Sequence, residues 1–258
     1  MSVYLQVMVR NVFGAIVAAY MIKKEGVSWF GKKKDQPFLF ARSIAGFLGL
    51  VTFFYATRMG NIADATILNR TGPFFTTLFS VLFLKERASL PQWIALVIVF
   101  LGGIIAGNPS FDSSLLPMLL ALTSALMNGI AYTLLAYFRD KVAAMTVVMH
   151  FAVVSVLASL PFVIADFQVP TVSDAVMLLC IALTGSIGVI SITLAYRLAP
   201  ATEISIYDQL GVVMSILIGW IFLGQIPRLN TLLGGTIVIV ASAWIYSYNR
   251  HLSKKTLA

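Results

Sequence analysis

Along the chain, apolar stretches of about twenty residues alternate with short clusters of glycine, proline and charge. An apolar run of roughly 18 or more residues is long enough to cross the hydrocarbon layer as a helix. With those clusters as boundaries, the pattern predicts nine helical spans, at about 3–22, 38–57, 62–84, 91–107, 114–137, 143–165, 173–196, 202–223 and 229–247. Pro37, Pro91, Pro109, Pro117, Pro170, Pro200 and Pro227 fall at or near predicted ends, where a missing N–H costs least. Only Pro73 and Pro161 lie well inside a span.

Composition supports a membrane setting. Of 258 residues, 59% are hydrophobic and 11% charged, against an apolar share of roughly 45–50% in soluble domains. The chain therefore reads as an all-α polytopic membrane protein. Its net charge of +8 gathers in short loops such as Lys23–Lys34, which membrane topology explains without a nucleic-acid partner. A single cysteine, Cys180, allows no intrachain disulfide, and His150 and His251 stand too far apart in sequence to suggest a metal or haem site, so no cofactor is expected. Arg10 and Asn11 interrupt the first apolar run, which argues against a signal peptide.

Charge also orients the spans. Lys23, Lys24, Lys32–Lys34, Lys85, Arg87, Arg139, Lys141, Arg197, Arg250, Lys254 and Lys255 fall on one side, thirteen of the eighteen basic residues. Two opposite loops, at 106–114 and 165–174, carry Asp112, Asp166 and Asp174 and no basic residue. The basic side is expected to be cytoplasmic, which puts the N-terminus outside and the C-terminus inside a plasma or inner membrane.

Sliding the chain by 139 residues lays Arg58–Leu90 over Arg197–Leu229 without a gap. Gly72 then meets Gly211, Asn69 meets Asp208, Arg70 meets Gln209, and Asp64 meets Glu203. The span at 143–165 matches the first span, but the span at 114–137 has no counterpart. Residues 1–110 thus read as a first repeat of four spans and 111–258 as a second of five. A repeat with an odd number of spans enters the membrane from opposite sides, the inverted architecture of many secondary transporters. The expectation is a ten-helix design whose first helix is missing here, with an in-frame apolar helix encoded upstream of Met1.

The segment "LFLKERASLPQWIALVIVFLGGIIA", the "APATE" turn before a polar-start helix and the "MVRN" segment resemble the drug/metabolite transporter superfamily, and more narrowly its EamA family. Leu84-Lys85-Glu86 keeps the acidic turn that closes that family's repeat, whereas Leu223-Gly224-Gln225 departs from it. The resemblance implies inverted five-helix repeats and alternating-access movement of amino acids, nucleotide-derived metabolites or drugs through a central cavity.

Candidate chemistry comes from polar groups at membrane depth. Arg70 lies about eight residues into its span, or roughly 12 Å at about 1.5 Å per residue, near the middle of a layer about 30 Å thick. Asp208 reaches a similar depth from the other side. Either the pair lines a midplane site, with Arg70 taking an anionic group and Asp208 an amino group or a proton, or it joins two helices structurally. Pro73 frees the carbonyl of Asn69 one turn back, which suits a cavity. Arg10, Asn69, Asn128, His150 and Tyr207 complete the candidate substrate-binding set. Arg10 equally suits the outer interface, Asn128 and His150 equally suit interhelical hydrogen bonds, and Arg42 is expected to snorkel from a cytoplasmic helix end. Gly103 and Gly107, with Gly234-Gly235, suit close packing within the chain or a homodimer. A membrane-embedded enzyme or a non-transporting scaffold is the alternative, but no nucleophile–base pair or carboxylate pair marks an active site.

Overall fold

The computed structural model describes residues 2–109, 114–167, 169–224 and 229–257. Its helices are α1 (Val3–Glu25), α2 (Gln36–Met59), α3 (Ile62–Asn69), α4 (Gly72–Leu84), α5 (Leu90–Gly107), α6 (Leu115–Tyr137), α7 (Ala144–Ala165), α8 (Val172–Leu198), α9 (Ala201–Tyr207), α10 (Leu210–Leu223) and α11 (Leu229–Leu257). Among the described residues, nine spans are long and apolar enough to cross a membrane, each within a few residues of the sequence pattern. Two of them are broken: α3 with α4 forms one span, and α9 with α10 another.

Local chemistry sets the ends. Ser89 opens α5 with a capping box, its N–H donating to Gln92 Oε1 at 2.8 Å, and Pro91 sits in the first turn. Thr171 and Asp174 form the same device at α8. The two repeats end their broken spans alike, with Lys85 at φ 56° and Gly224 at φ 64°. Only glycine takes that left-handed conformation without cost. The glutamate of the acidic turn acts across the repeats. Glu86 Oε1 accepts from the N–H of Ala201 at 3.2 Å and Oε2 from that of Thr202 at 3.1 Å, so the first repeat caps α9 of the second. Arg139 approaches the same carboxylate at 3.7 Å. The corresponding Gln225 and Pro227, and the loop residue Asp112, lie outside the described residues.

In the bundle α6 packs on α2, α3 and α4, while α1 lies against α7 and α8, and α5 against α11. Close approach requires glycine at two crossings. A Cβ on Gly129 would come 2.4 Å from Phe75 Cβ, and one on Gly234 would come 2.4 Å from both the Gly102 carbonyl and the Ala106 nitrogen. Gly102, rather than Gly103 or Gly107, carries the α5–α11 contact. Gly103 turns towards Val212 and Gly107 towards Ile67, so these small residues all serve contacts within the chain.

Candidate functional site

The two broken spans meet at their breaks. Arg70 has no donor for its carbonyl from its own span: the residue three ahead is Pro73, which lacks an N–H, and the next, Phe74, donates to Thr71 at 3.0 Å. Gln209 supplies the donor from the other repeat, Nε2 to the Arg70 carbonyl at 2.9 Å. In return Arg70 Nη1 donates to the Asp208 carbonyl at 3.1 Å. The repeat-equivalent side chains of Arg70 and Gln209 thus each donate one hydrogen bond across the interface. Glycine makes room for this, because a Cβ on Gly211 would come 2.9 Å from Arg70 Nη1.

This geometry alters the expected Arg70–Asp208 pairing. The two residues do meet, but through the Asp208 backbone, and among the described residues no ion pair joins their side chains. Asp208 instead lines a cavity of about 520 Å³ between the repeats, a size typical of small-molecule sites, which span about 300–1,000 Å³.

Four of the sequence candidates line that cavity: Arg10 from α1, Asn69 from α3, Asn128 from α6 and Asp208 at the α9–α10 break. Asn69 Nδ2 donates to Ser124 Oγ at 2.7 Å, and that hydroxyl donates to the Gly49 carbonyl at 2.6 Å, tying α3, α6 and α2 together. Asn128 lies one turn further along α6, so close to α2 that a Cβ on Gly49 would come 2.6 Å from its Oδ1. Arg10 sits over Gly185, where a Cβ would come 2.4 Å from its Nε. Its Nη2 reaches the Gly185 carbonyl only at 3.5 Å, and among the described residues its Nε has no hydrogen-bond acceptor.

Three candidates lie elsewhere. Arg70 stands behind the cavity in the crossing. His150 Nδ1 is 2.9 Å from Ser43 Oγ, with the Phe40 ring against its imidazole, in the contact between α2 and α7. Tyr207 donates to Glu203 Oε1 at 3.3 Å and packs against α5 and α11.

Arg42 corrects the sequence reading. It does not snorkel: it is only 3% exposed and lines the cavity. Its guanidinium carbon lies 4.3 Å from the Phe151 ring centroid, and among the described residues neither Nε nor Nη1 has an acceptor. A charge at membrane depth costs on the order of 2.5–3.5 kcal/mol even on the gentler insertion scale, so such a residue faces a cavity or a partner. Arg42, Gly46, Gly49 and Phe53 fall on one helical face, and all four line the cavity. Tyr132 was also missed. It lines the same space and stacks on buried Tyr196 with ring centroids 5.4 Å apart.

Comparison with known proteins agrees with this architecture. The EamA-like transporter family matches residues 1–107 and 115–247. The chain is 30% identical over 234 residues to the pseudopaline exporter of Pseudomonas aeruginosa strain UCBPP-PA14, covering 90% of this chain and 82% of the relative. It is 25% identical over 234 residues to an S-adenosylmethionine uptake transporter of Rickettsia bellii, covering 89% and 80%. A protein of known crystal structure superposes with a TM-score of 0.85 at 15% identity, over 98% of this chain and 90% of that one, which speaks to the fold alone.

Proposed function

The chain belongs to the EamA-like transporter family of small-metabolite transporters, and from that premise we propose that its substrate crosses through the cavity between the two repeats by alternating access. The observation that carries this reading is one cavity lined by charged groups from both halves, directly beside the point where the two broken spans cross. Broken spans at a repeat interface are where secondary transporters hold their cargo, because freed backbone and polar side chains are tolerable only around a cavity.

Arg10, Asn69, Asn128 and Asp208 contact substrate in this reading, joined by Arg42 and Tyr132, while Arg70 and Gln209 hold the crossing in register. The chain sits in the cell membrane with its basic loops and C-terminus in the cytoplasm. Asp208 is also the group through which a proton gradient would act, and exchange at an imposed pH difference, with and without Asp208→Asn, decides that point. An enzyme reading has no support, since the relatives are transporters.

The test is counterflow in proteoliposomes holding the purified full chain, starting with S-adenosylmethionine and extending to a polar metabolite extract. Saturable exchange of at least one component is expected, reduced tenfold or more by Asp208→Asn. No exchange of any component, from a chain shown to be folded, removes the reading.

A further inference from the structure

Two arginines converge on the cavity wall, and among the described residues no acid neutralises them. Arg10 and Arg42 come from adjacent helices, lie within electrostatic reach of one another, and among the described residues pair with no carboxylate. Among the described residues, Arg10 Nε and Arg42 Nε and Nη1 are buried without an acceptor. A purely structural arginine at this depth has its donors met by carbonyls or an acid, as Arg70 Nη1 is met by the Asp208 carbonyl. The glycines Gly185 and Gly46 hold open the space that the guanidiniums occupy, at 2.4 Å and 2.9 Å from where a Cβ would stand.

Asp208 presents the opposite charge from the far repeat, and its nearest cation, Arg70, is engaged with the backbone. Tyr132 lies within electrostatic reach of both ends, and Leu50, Phe53, Val189 and Ile192 supply apolar wall. The cavity is therefore polarised, with a doubly cationic end and a singly anionic end.

We infer that the cavity takes an amphoteric small molecule, whose oxyanion end, carboxylate or phosphate, is held by Arg10 and Arg42 and whose protonated amine meets Asp208. This rests on the cavity being the substrate path. Guanidinium groups bind planar carboxylates and phosphates through paired N–H donors, which is the chemistry the two arginines leave unused. A diamine or a neutral sugar would leave both guanidiniums without a counter-charge. A plain dicarboxylate would face the Asp208 carboxylate unprotected.

The experiment is proteoliposome counterflow with the full chain and a defined equimolar mixture of amino dicarboxylic acids, phosphorylated amines, plain dicarboxylates, diamines, nucleosides and sugars, read by mass spectrometry. Exchange of the amine-bearing oxyanions is expected at least tenfold above plain dicarboxylates and diamines, with the carboxylate and phosphate arms telling which oxyanion is used. Arg10→Gln and Arg42→Gln should each reduce it tenfold or more. Asp208→Asn should shift preference towards plain dicarboxylates, a readout that does not depend on the arginine variants folding. Exchange confined to diamines, nucleosides or sugars, or amphoteric exchange indifferent to both arginine variants, overturns the inference and leaves transport standing. Exchange of nothing in this mixture, by a folded chain that does exchange S-adenosylmethionine or a component of the metabolite extract, overturns the inference alone; no exchange in either assay removes both.

Discussion

Gln209→Leu isolates the crossing of the broken spans. The Gln209 side chain is fully buried, its Oε1 has no partner, and its Nε2 gives the Arg70 carbonyl the donor that Pro73 and Phe74 do not. Leucine has a similar volume, so the substitution removes a hydrogen bond with little change in packing and strands the part-buried Arg70 carbonyl, an effect reduced but not cancelled by removing the unpartnered Oε1. A stranded acceptor costs about 1–3 kcal/mol in soluble proteins, whereas interhelical hydrogen bonds in membranes contribute about 0.6–2 kcal/mol. The expected loss is therefore about 1–2 kcal/mol, which at about 2–4 °C per kcal/mol for a chain of this size is readable in thermal unfolding of the detergent-solubilised protein. The rescue is more diagnostic. Pro73→Ala restores an N–H and lets α3 run on towards α4, so in the Gln209→Leu background it should recover stability while transport stays low, because the break itself is lost. A Gln209→Leu variant as stable as the parent would refute the argument. So would a Pro73→Ala, Gln209→Leu double variant that gains no stability.

Because Arg70 bonds the Asp208 backbone and not its carboxylate, Asp208→Asn should lower stability less than Arg70→Gln does and should not relieve Arg70→Gln; full recovery in that double variant, by unfolding and by transport, would restore a side-chain ion pair in place of the observed bond. Gly234→Ala drives a methyl group into the α5 backbone at 2.4 Å and should cost about 1–3 kcal/mol by overpacking, measured as lower thermal stability; an unchanged midpoint would mean that the two helices separate freely. For topology, single cysteines replacing Trp29 and Val169 in a Cys180→Ser background should differ. Impermeant maleimide in intact cells should label position 169 and spare position 29, and the reverse would overturn the orientation drawn from the basic loops.

The amino-acid sequence alone determined the number and limits of the spans. In lipid a spanning segment must satisfy its backbone internally, so each crossing is written as one long apolar run with polar punctuation, whatever its neighbours are. It also marked the first break, through Pro73, and the repeat that places Arg70 over Gln209 and Asn69 over Asp208. The second break was a tertiary decision: no proline interrupts Tyr207-Asp208-Gln209-Leu210, and α9 ends there with Arg70 of the other repeat bonded to the Asp208 carbonyl. Which side of each helix faces inward was equally hidden. Surrounding lipid is as apolar as leucine, so a membrane helix carries little of the polar stripe that betrays the outer face of a soluble one. Residue type therefore did not distinguish Arg42, turned into the cavity, from an arginine reaching for the interface, nor His150, bonded to Ser43, from a cavity group. Only the rotation of α2 and α7 against their neighbours separates these cases, and that rotation is set by glycine-sized contacts spread over several helices.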